Sequence, residues 1–477
     1  MEDWIFSQET MDLPLDEIER EQEKRGREVM RLMLQAHIQA RGVGDIGPAI
    51  EVLPSKEEEE PIRLTHRRDH ERHEETIFGG VKVHRLGYGL PGQASVHPLD
   101  ESLVLPERSY SYELQRRLVK AEVQGPFDEA VERVQESTGV LVPKRSAEEI
   151  AKEAAEDFDT FYQERTPPPA AQCGPILVGA VDCKGIPMVK PEPAERPVRR
   201  GRGEKANKKR MSTVATTFTM EPRIRTPEEV VESLFQPELK VVGEEKPPRP
   251  RPEHKRVWAS LQKGKEAVIQ ELAQEMDRRD PDGKKTRVAV TDGERALQIR
   301  VARMLGPCLV LVLDLLHVLE KLWKAAYVFH PEGSQEAEDW VRERSLRILR
   351  GEVSQVVKGL RQSVTKRGMR GERRKTLLGV AGYFYRNRKR MRYDEYLAKG
   401  LPIASGAVEG ACKNLVKDRM ERSGMRWTEE SAEAMLKLRA TYLSDDFEEY
   451  WAFHVRRDQE RLHPAGHWRP SKVVDGK

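Results

Sequence analysis

The stretch 13–40 has no proline beyond Pro14 and one glycine, Gly26, and its apolar residues Val29, Leu32, Met33 and Ile38 recur at roughly helical spacing. That periodicity predicts one long amphipathic helix. The following segment, 51–75, mixes an acidic run with His66, His70 and His73, which reads as a solvated charged stretch or as imidazoles on one helical face. Alternation over 76–85, turned at Gly79 and Gly80, predicts a small β-hairpin. Helical patterns follow at 110–123, 127–135 and 147–161. Three short helices joined by tight turns make either a helix-turn-helix that enters a DNA groove or a plain packing module.

Thr166 and the prolines 167–169 break this pattern, and β-branched apolar residues begin at once with Ile176, Val178 and Val181. Strands are predicted at 176–182, 186–189, 211–220, 287–291 and 308–313, with helices starting at Pro227, Arg256 and Glu294. Strands first and alternation afterwards define an α/β domain. From 336 to 396 strand signals vanish in favour of Arg-rich helical sequence, an all-α insertion, before the punctuation of 400–406 opens another helix. Beyond 455 too few apolar residues remain to offset the entropy of ordering, so a disordered tail is expected. The predicted organisation is a helical segment (1–60), a hairpin with a helix-turn-helix-like domain that is a candidate for DNA binding (61–165), and an α/β core in two parts (170–330 and 401–455). A basic helical insertion (331–400) separates those parts, and the tail (456–477) follows.

At 477 residues the chain exceeds the usual limit of one core. Its 83 basic and 80 acidic residues nearly cancel, so the distribution of charge matters more than the total. Residues 196–210 form a basic loop containing Arg199, Arg200, Lys208 and Lys209, and residues 341–430 hold 23 Lys and Arg against 10 Asp and Glu. The second region includes Arg386, Arg388, Lys389, Arg390, Lys413, Lys417 and Arg426, and a DNA backbone is its natural partner. Aromatic residues Tyr383, Phe384, Tyr385, Tyr393 and Trp427 interleave with this charge, as core rings or as platforms for unpaired bases. Four widely spaced cysteines with no Cys-x-x-Cys pair fit a reducing, cytoplasmic setting, and no signal peptide or membrane span is expected.

Candidate chemistry lies in carboxylates. Asp182 ends an apolar strand and Asp292 repeats the arrangement, each placed where open sheets put their sites, although an Asp near a Gly is also an ordinary turn former. Glu409 falls in the first turn of a helix that Ser405 can cap, with an ion pair to Lys413 as its ordinary alternative. Asp314 and His317, three apart after the last strand, share a helix face and can orient substrate or support a metal ligand; otherwise they are a cap and a packed imidazole. One acid on the first strand, one after a later strand and one on a helix beyond an insertion is the layout of a two-metal nuclease. Two hard cations there activate the attacking oxygen and steady the leaving one, and oxygen ligands select Mg²⁺ or Mn²⁺.

The segments Val181-Asp-Cys-Lys-Gly-Ile-Pro-Met188, Val290-Thr-Asp-Gly293, Leu313-Asp-Leu-Leu-His-Val318 and Pro402-Ile-Ala-Ser-Gly-Ala-Val-Glu409 carry a resemblance. With the early helix 25–29 and the hairpin 76–81, they resemble bacterial insertion-sequence transposases of the IS-Kra type, relatives of the Mutator-like DDE transposases. The resemblance implies an RNase H-like catalytic domain interrupted by a helical insertion. It implies Asp182, Asp292 and Glu409 as a triad holding two ions, with Asp314 and His317 as accessory groups. It further implies cutting at element ends and strand transfer into double-stranded target DNA by a homo-oligomer. Relatives often carry cysteines just after the hairpin, as if for zinc, whereas 88–97 contains none.

Overall fold

Long β-branched runs against Arg- and Glu-rich helices give the chain two units, described here from a computed structural model covering residues 2–53, 60–189, 209–235, 250–464 and 466–471. The first unit joins Met1–Glu164 to Asp446–Lys477, and the second is Arg165–Asp445.

In the first unit the amphipathic helix is Leu15–Ala40, whose Leu34 and Ile38 pack with Val81, Val83 and Leu99. Strands β1 (Ile50–Val52) and β2 (Ile62–Leu64) precede a hairpin much longer than expected, β3 (His66–Thr76) and β4 (Gly79–Gly89), paired from His66 opposite Gly89 to Thr76 opposite Gly79. The strand half formed by 66–75 was hidden because it carries charge on both faces and so lacks an apolar period of two. Its turn is at Ile77 and Phe78, and Gly79, with φ 117°, opens the return strand where a side chain would be strained. Helices Tyr112–Glu122, Phe127–Thr138 and Lys144–Glu153 pack on one another, and the third predicted helix divides, resuming at Phe158–Glu164.

The expected disordered tail is corrected. Phe447–Leu462 is helical, and Trp468–Pro470 is a strand on β1, with Ile50 opposite Pro470. Trp468 packs with buried Ile50, Leu64 and Tyr88, so one large ring supplies the burial that a count of apolar residues undervalued. Residues 472–477 lie outside the described residues. On the helix, His454 Nδ1 and the Arg461 guanidinium bond the buried Asp157 carboxylate at 2.8 and 2.7 Å. Burial alone would push this carboxyl up, but those bonds outweigh it and hold the group at about 2. A depressed acid contributes its stability above the unfolded value and loses it as pH falls through the folded one. The wild-type unit is therefore expected to lose about 2 kcal/mol between roughly pH 4 and 2. Acid titration of Asp157→Asn, followed by circular dichroism, should lack that loss; an unchanged acid profile would exclude it.

The second unit is built on a mixed five-stranded sheet in the order β7-β6-β5-β8-β9. Its strands are β5 (Ile176–Ile186), β6 (Arg210–Met220), β7 (Glu253–Ser260), β8 (Thr286–Thr291) and β9 (Val310–Leu313). β5 pairs antiparallel with β6 and parallel with β8, and β9 extends the parallel half. The strand predicted at 176–182 runs on to Ile186 as β5, whereas the separate strand predicted at 186–189 is not formed, Met188 making only an isolated bridge with Trp427. The helix predicted from Arg256 is also corrected: 253–260 is β7, and only Lys265–Arg279 is helical. Charged Glu253 to Arg256 mask the alternation of this edge strand, whose burial comes from Val257, Trp258 and Ala259.

One sheet face, with Ile176, Val178, Val288, Val290 and Val312, forms a core with Leu315, Val318 and Leu322 of the helix Leu315–Ala326. Four helices, Gln335–Leu349, Val353–Lys366, Gly371–Asn387 and Tyr393–Ala398, continue that core as the all-α insertion. Each fully buried aliphatic side chain there contributes about 1.5–3 kcal/mol. This packing fixes the carboxyl ends of β8 and β9 against the helices through Val290, Val312 and Leu313, and holds β5 through Ile176 and Val178.

Candidate metal centre

Parallel pairing sets the level of the acids. Ala180 lies opposite Val290 and Thr291 opposite Leu313, so continuing each register by one or two residues brings Asp182, Asp292 and Asp314 to one level on neighbouring chains. Adjacent strands are about 4.8 Å apart. The Asp314 amide donates to the Thr291 carbonyl at 2.9 Å, which carries the ladder to its last residue. Three apolar strands therefore present three aspartates along one carboxyl edge.

Asp182 is half-buried within β5, which runs on past it paired with β6. Its Oδ1 accepts from the Cys183 amide at 2.6 Å, and its Oδ2 accepts from the Cys412 thiol at 3.3 Å. Burial and the Asp182 charge push that thiol well up, so it stays a donor. Asp292 Oδ1 accepts from the Glu294 amide at 2.9 Å, the local turn that an Asp-Gly pair favours. Burial raises its carboxyl above the usual range, the Glu294 amide opposes this, and the negative charge of Asp182 raises it further. Two carboxylates that repel across a strand gap are stabilised by a shared cation.

Asp314 has a different role. It is fully buried and caps Leu315–Ala326 by accepting from the Leu316 amide at 3.0 Å. It also accepts from the Ser405 hydroxyl, from the Ser405 amide at 3.3 Å, and from His317 Nδ1 at 3.0 Å. Burial works against the charged form, and these bonds more than offset it, leaving its carboxyl low. The same contact lifts His317 to about 9, so at neutral pH the imidazolium offsets charge among Asp292, Asp314 and Glu409.

Ser405 precedes the helix Gly406–Ala411 but does not cap it with its side chain; its hydroxyl is turned to Asp314 instead. That bond draws the Glu409 helix to the end of β9. Ligand atoms of Asp314, His317 and Glu409 lie within 4.8 Å of one another. Glu409 is exposed and, among the described residues, makes no ion pair, so the expected alternative with Lys413 is not formed. Desolvation, then the charge of Asp314, raises its carboxyl, and Asp182 adds to the effect. A π-helical turn, Cys412–Lys417, follows at once and carries the Cys412 thiol to Asp182. Such turns recur at functional sites.

The structure thus brings Glu409 directly beside Asp314 and His317. Asp182 and Asp292 stand outside that tight group and are tied to it by level and by charge. Among the described residues, Asp314, His317 and Glu409 are the group whose ligand atoms lie close enough together to hold a metal ion. Sequence reasoning missed the Ser405–Asp314 bond and the Cys412 thiol. It named Tyr383 only as a core ring or base platform and missed that its ring packs so closely on Gly293 that an added Cβ would stand 2.1 Å from it. The Ser405–Asp314 and Cys412–Asp182 contacts join residues 91 and 230 apart, so no local sequence signal marks them.

Of the basic residues, Arg386, Lys389, Lys413, Lys417 and Arg426 are exposed. The Arg388 guanidinium stacks 4.2 Å from the Tyr385 ring, and Arg390 ends the same 3-10 turn. Lys209 pairs with Glu421 at 2.6 Å. Arg199, Arg200 and Lys208 lie outside the described residues. Trp427 is a correction: it is buried, donates from Nε1 to the Met420 carbonyl at 3.0 Å and holds Met188 in a bridge, so its ring cannot stack on a base. Phe384 and Tyr393 are likewise core, whereas Tyr385 is exposed. Among the described residues no helix is long and apolar enough to cross a membrane. No protein-family model and no curated protein matches the chain, so the reading of this site rests on its own geometry.

Proposed function

We propose that the chain is a DNA transposase of the DDE type, with an RNase H-like catalytic domain in the second unit. The observation that carries this reading is the level alignment of Asp182 and Asp292 on parallel strands, with Glu409 drawn to the same edge through Ser405 and Asp314. A sheet with three antiparallel strands followed by two parallel ones, its acids at the carboxyl edge, supports the RNase H-like assignment.

Asp182, Asp292 and Glu409 would hold two Mg²⁺ or Mn²⁺ ions, which supply charge to the attacking and leaving oxygens of an in-line displacement. The chain's own residues do the remaining work. Asp314 fixes the Glu409 helix, the Cys412 thiol orients Asp182, and His317 limits the net negative charge that a phosphate must approach. The exposed cations Arg386, Lys389, Lys413, Lys417 and Arg426 would hold the duplex, in a homo-oligomer that brings two element ends together.

The test is incubation of the purified chain with duplexes bearing the inverted repeats that flank its gene, in Mg²⁺. The expected products are cut ends and joined strands in target DNA. Cutting without joining would make the protein a nuclease, and binding with neither reaction would make it a DNA-binding regulator.

A further inference from the structure

The insertion holds a second charged feature that the carboxylate edge does not use. Between Val353–Lys366 and Gly371–Asn387 the chain turns tightly, with Gly368 and Gly371 at φ 56° and 61°. Beside this turn is a cleft of about 550 Å³ whose lining includes Arg361, Thr365, Arg370 and Arg374, with Val364 and Leu378. Residues 353–392 contain thirteen Lys and Arg and a single acid, Glu372. That acid is taken by Lys375 at 3.3 Å. Among the described residues, none of the three cleft arginines forms an ion pair, and Arg361 rests over the Tyr385 ring at 5.2 Å. A cluster of like charges without counter-ions destabilises the free protein and is relieved by an anion.

We propose that this cleft grips the phosphate backbone of duplex DNA beside the reacting strand, an inference that rests on the transposase reading. Guanidinium forks match phosphate oxygens in pairs. A small-molecule site would need an enclosed, mostly apolar pocket, which four exposed polar residues around a turn do not provide. The position also fits. Tyr383 packs on Gly293, next to Asp292, and Arg374 lies nine residues earlier on the same helix. At about 1.5 Å per residue this is roughly 14 Å, or about four base-pair steps of duplex. The cleft therefore holds DNA flanking the cut rather than the scissile phosphate.

The experiment is fluorescence anisotropy of a labelled duplex over a salt series in EDTA, using the full chain and the triple variant Arg361→Gln/Arg370→Gln/Arg374→Gln. Removing three phosphate contacts should lower the slope of log affinity against log salt by about 2 to 3 and weaken binding at least roughly tenfold. A control, Arg20→Gln/Lys284→Gln, should leave both unchanged, and circular dichroism should be the same for all three proteins. A triple variant that behaves like the control overturns the proposal. So does a triple variant that keeps duplex binding but loses binding to polyglutamate or tripolyphosphate, which would make the partner an acidic protein or a free polyphosphate. Arginine-dependent duplex binding without any cutting would sink the enzymatic reading and leave the cleft standing. Cutting with an unchanged salt slope would do the opposite.

Discussion

Asp182→Asn or Asp292→Asn is expected to reduce metal-dependent strand cleavage by on the order of a thousandfold, about 4 kcal/mol of barrier, while duplex binding in EDTA is kept. Asparagine matches aspartate in size, so the level alignment on β5 and β8 survives, and the change removes charge alone. In Asp182→Asn the negative charge that adds to burial in raising Asp292 disappears, and one of the carboxylates proposed to hold the cation is lost. The two single variants should be nearly as damaged as the double variant, because ligands of one centre act as a unit. Rates measured with a pre-cut and an uncut duplex would check this for cleavage and joining separately. Retention of either activity within tenfold of wild type would remove that residue from the centre.

Asp314→Ala should be the most destabilising single change at this edge. The carboxylate is fully buried and receives the Leu316 and Ser405 amides, the Ser405 hydroxyl and His317. Truncation leaves those donors, one of them an imidazolium, without an acceptor, at a cost of about 3–5 kcal/mol. Ser405→Ala removes only one donor and should cost about 1 kcal/mol. Both variants release the Glu409 helix, so both should weaken Mn²⁺ binding, and that is what separates positioning from simple stability. Urea denaturation of the four proteins, wild type, Asp314→Ala, Ser405→Ala and Glu409→Gln, with Mn²⁺ titration alongside, gives both quantities. A Ser405→Ala variant with unaltered Mn²⁺ affinity would show that the Asp314 link does not position Glu409.

How legible the centre was depended on how local its causes are. Asp182, Asp292 and Asp314 each close an apolar β-branched run, and the strand signal that locates them is carried by the same few residues. Glu409 was legible only through its small-residue helix start and its resemblance to a known motif. What brings it into place is a bond between residues 91 apart, which no local pattern encodes. Trp427 was misread for a related reason: charge around it in sequence does not reveal that its ring lies against Met420 in the core. β3 and β7 were lost where charged residues occupy both faces of a strand, since the period of two is then invisible; the ladder of β3 is unbroken, and that of β7 shifts register at the same charged residues, between Arg256 and Glu253. The strand Trp468–Pro470 depends on a partner more than four hundred residues away. The helical insertion was read easily because its periodicity repeats over many turns.

The central claim is that Asp182, Asp292 and Glu409 share divalent cations at the carboxyl edge of the parallel strands. Crystals soaked in Mn²⁺ and measured for anomalous scattering test it most directly. The account predicts manganese in contact with the Asp182 and Asp292 carboxylates and with Glu409. Manganese bound elsewhere, or held by Asp314 and His317 with Asp182 and Asp292 bare, would contradict it.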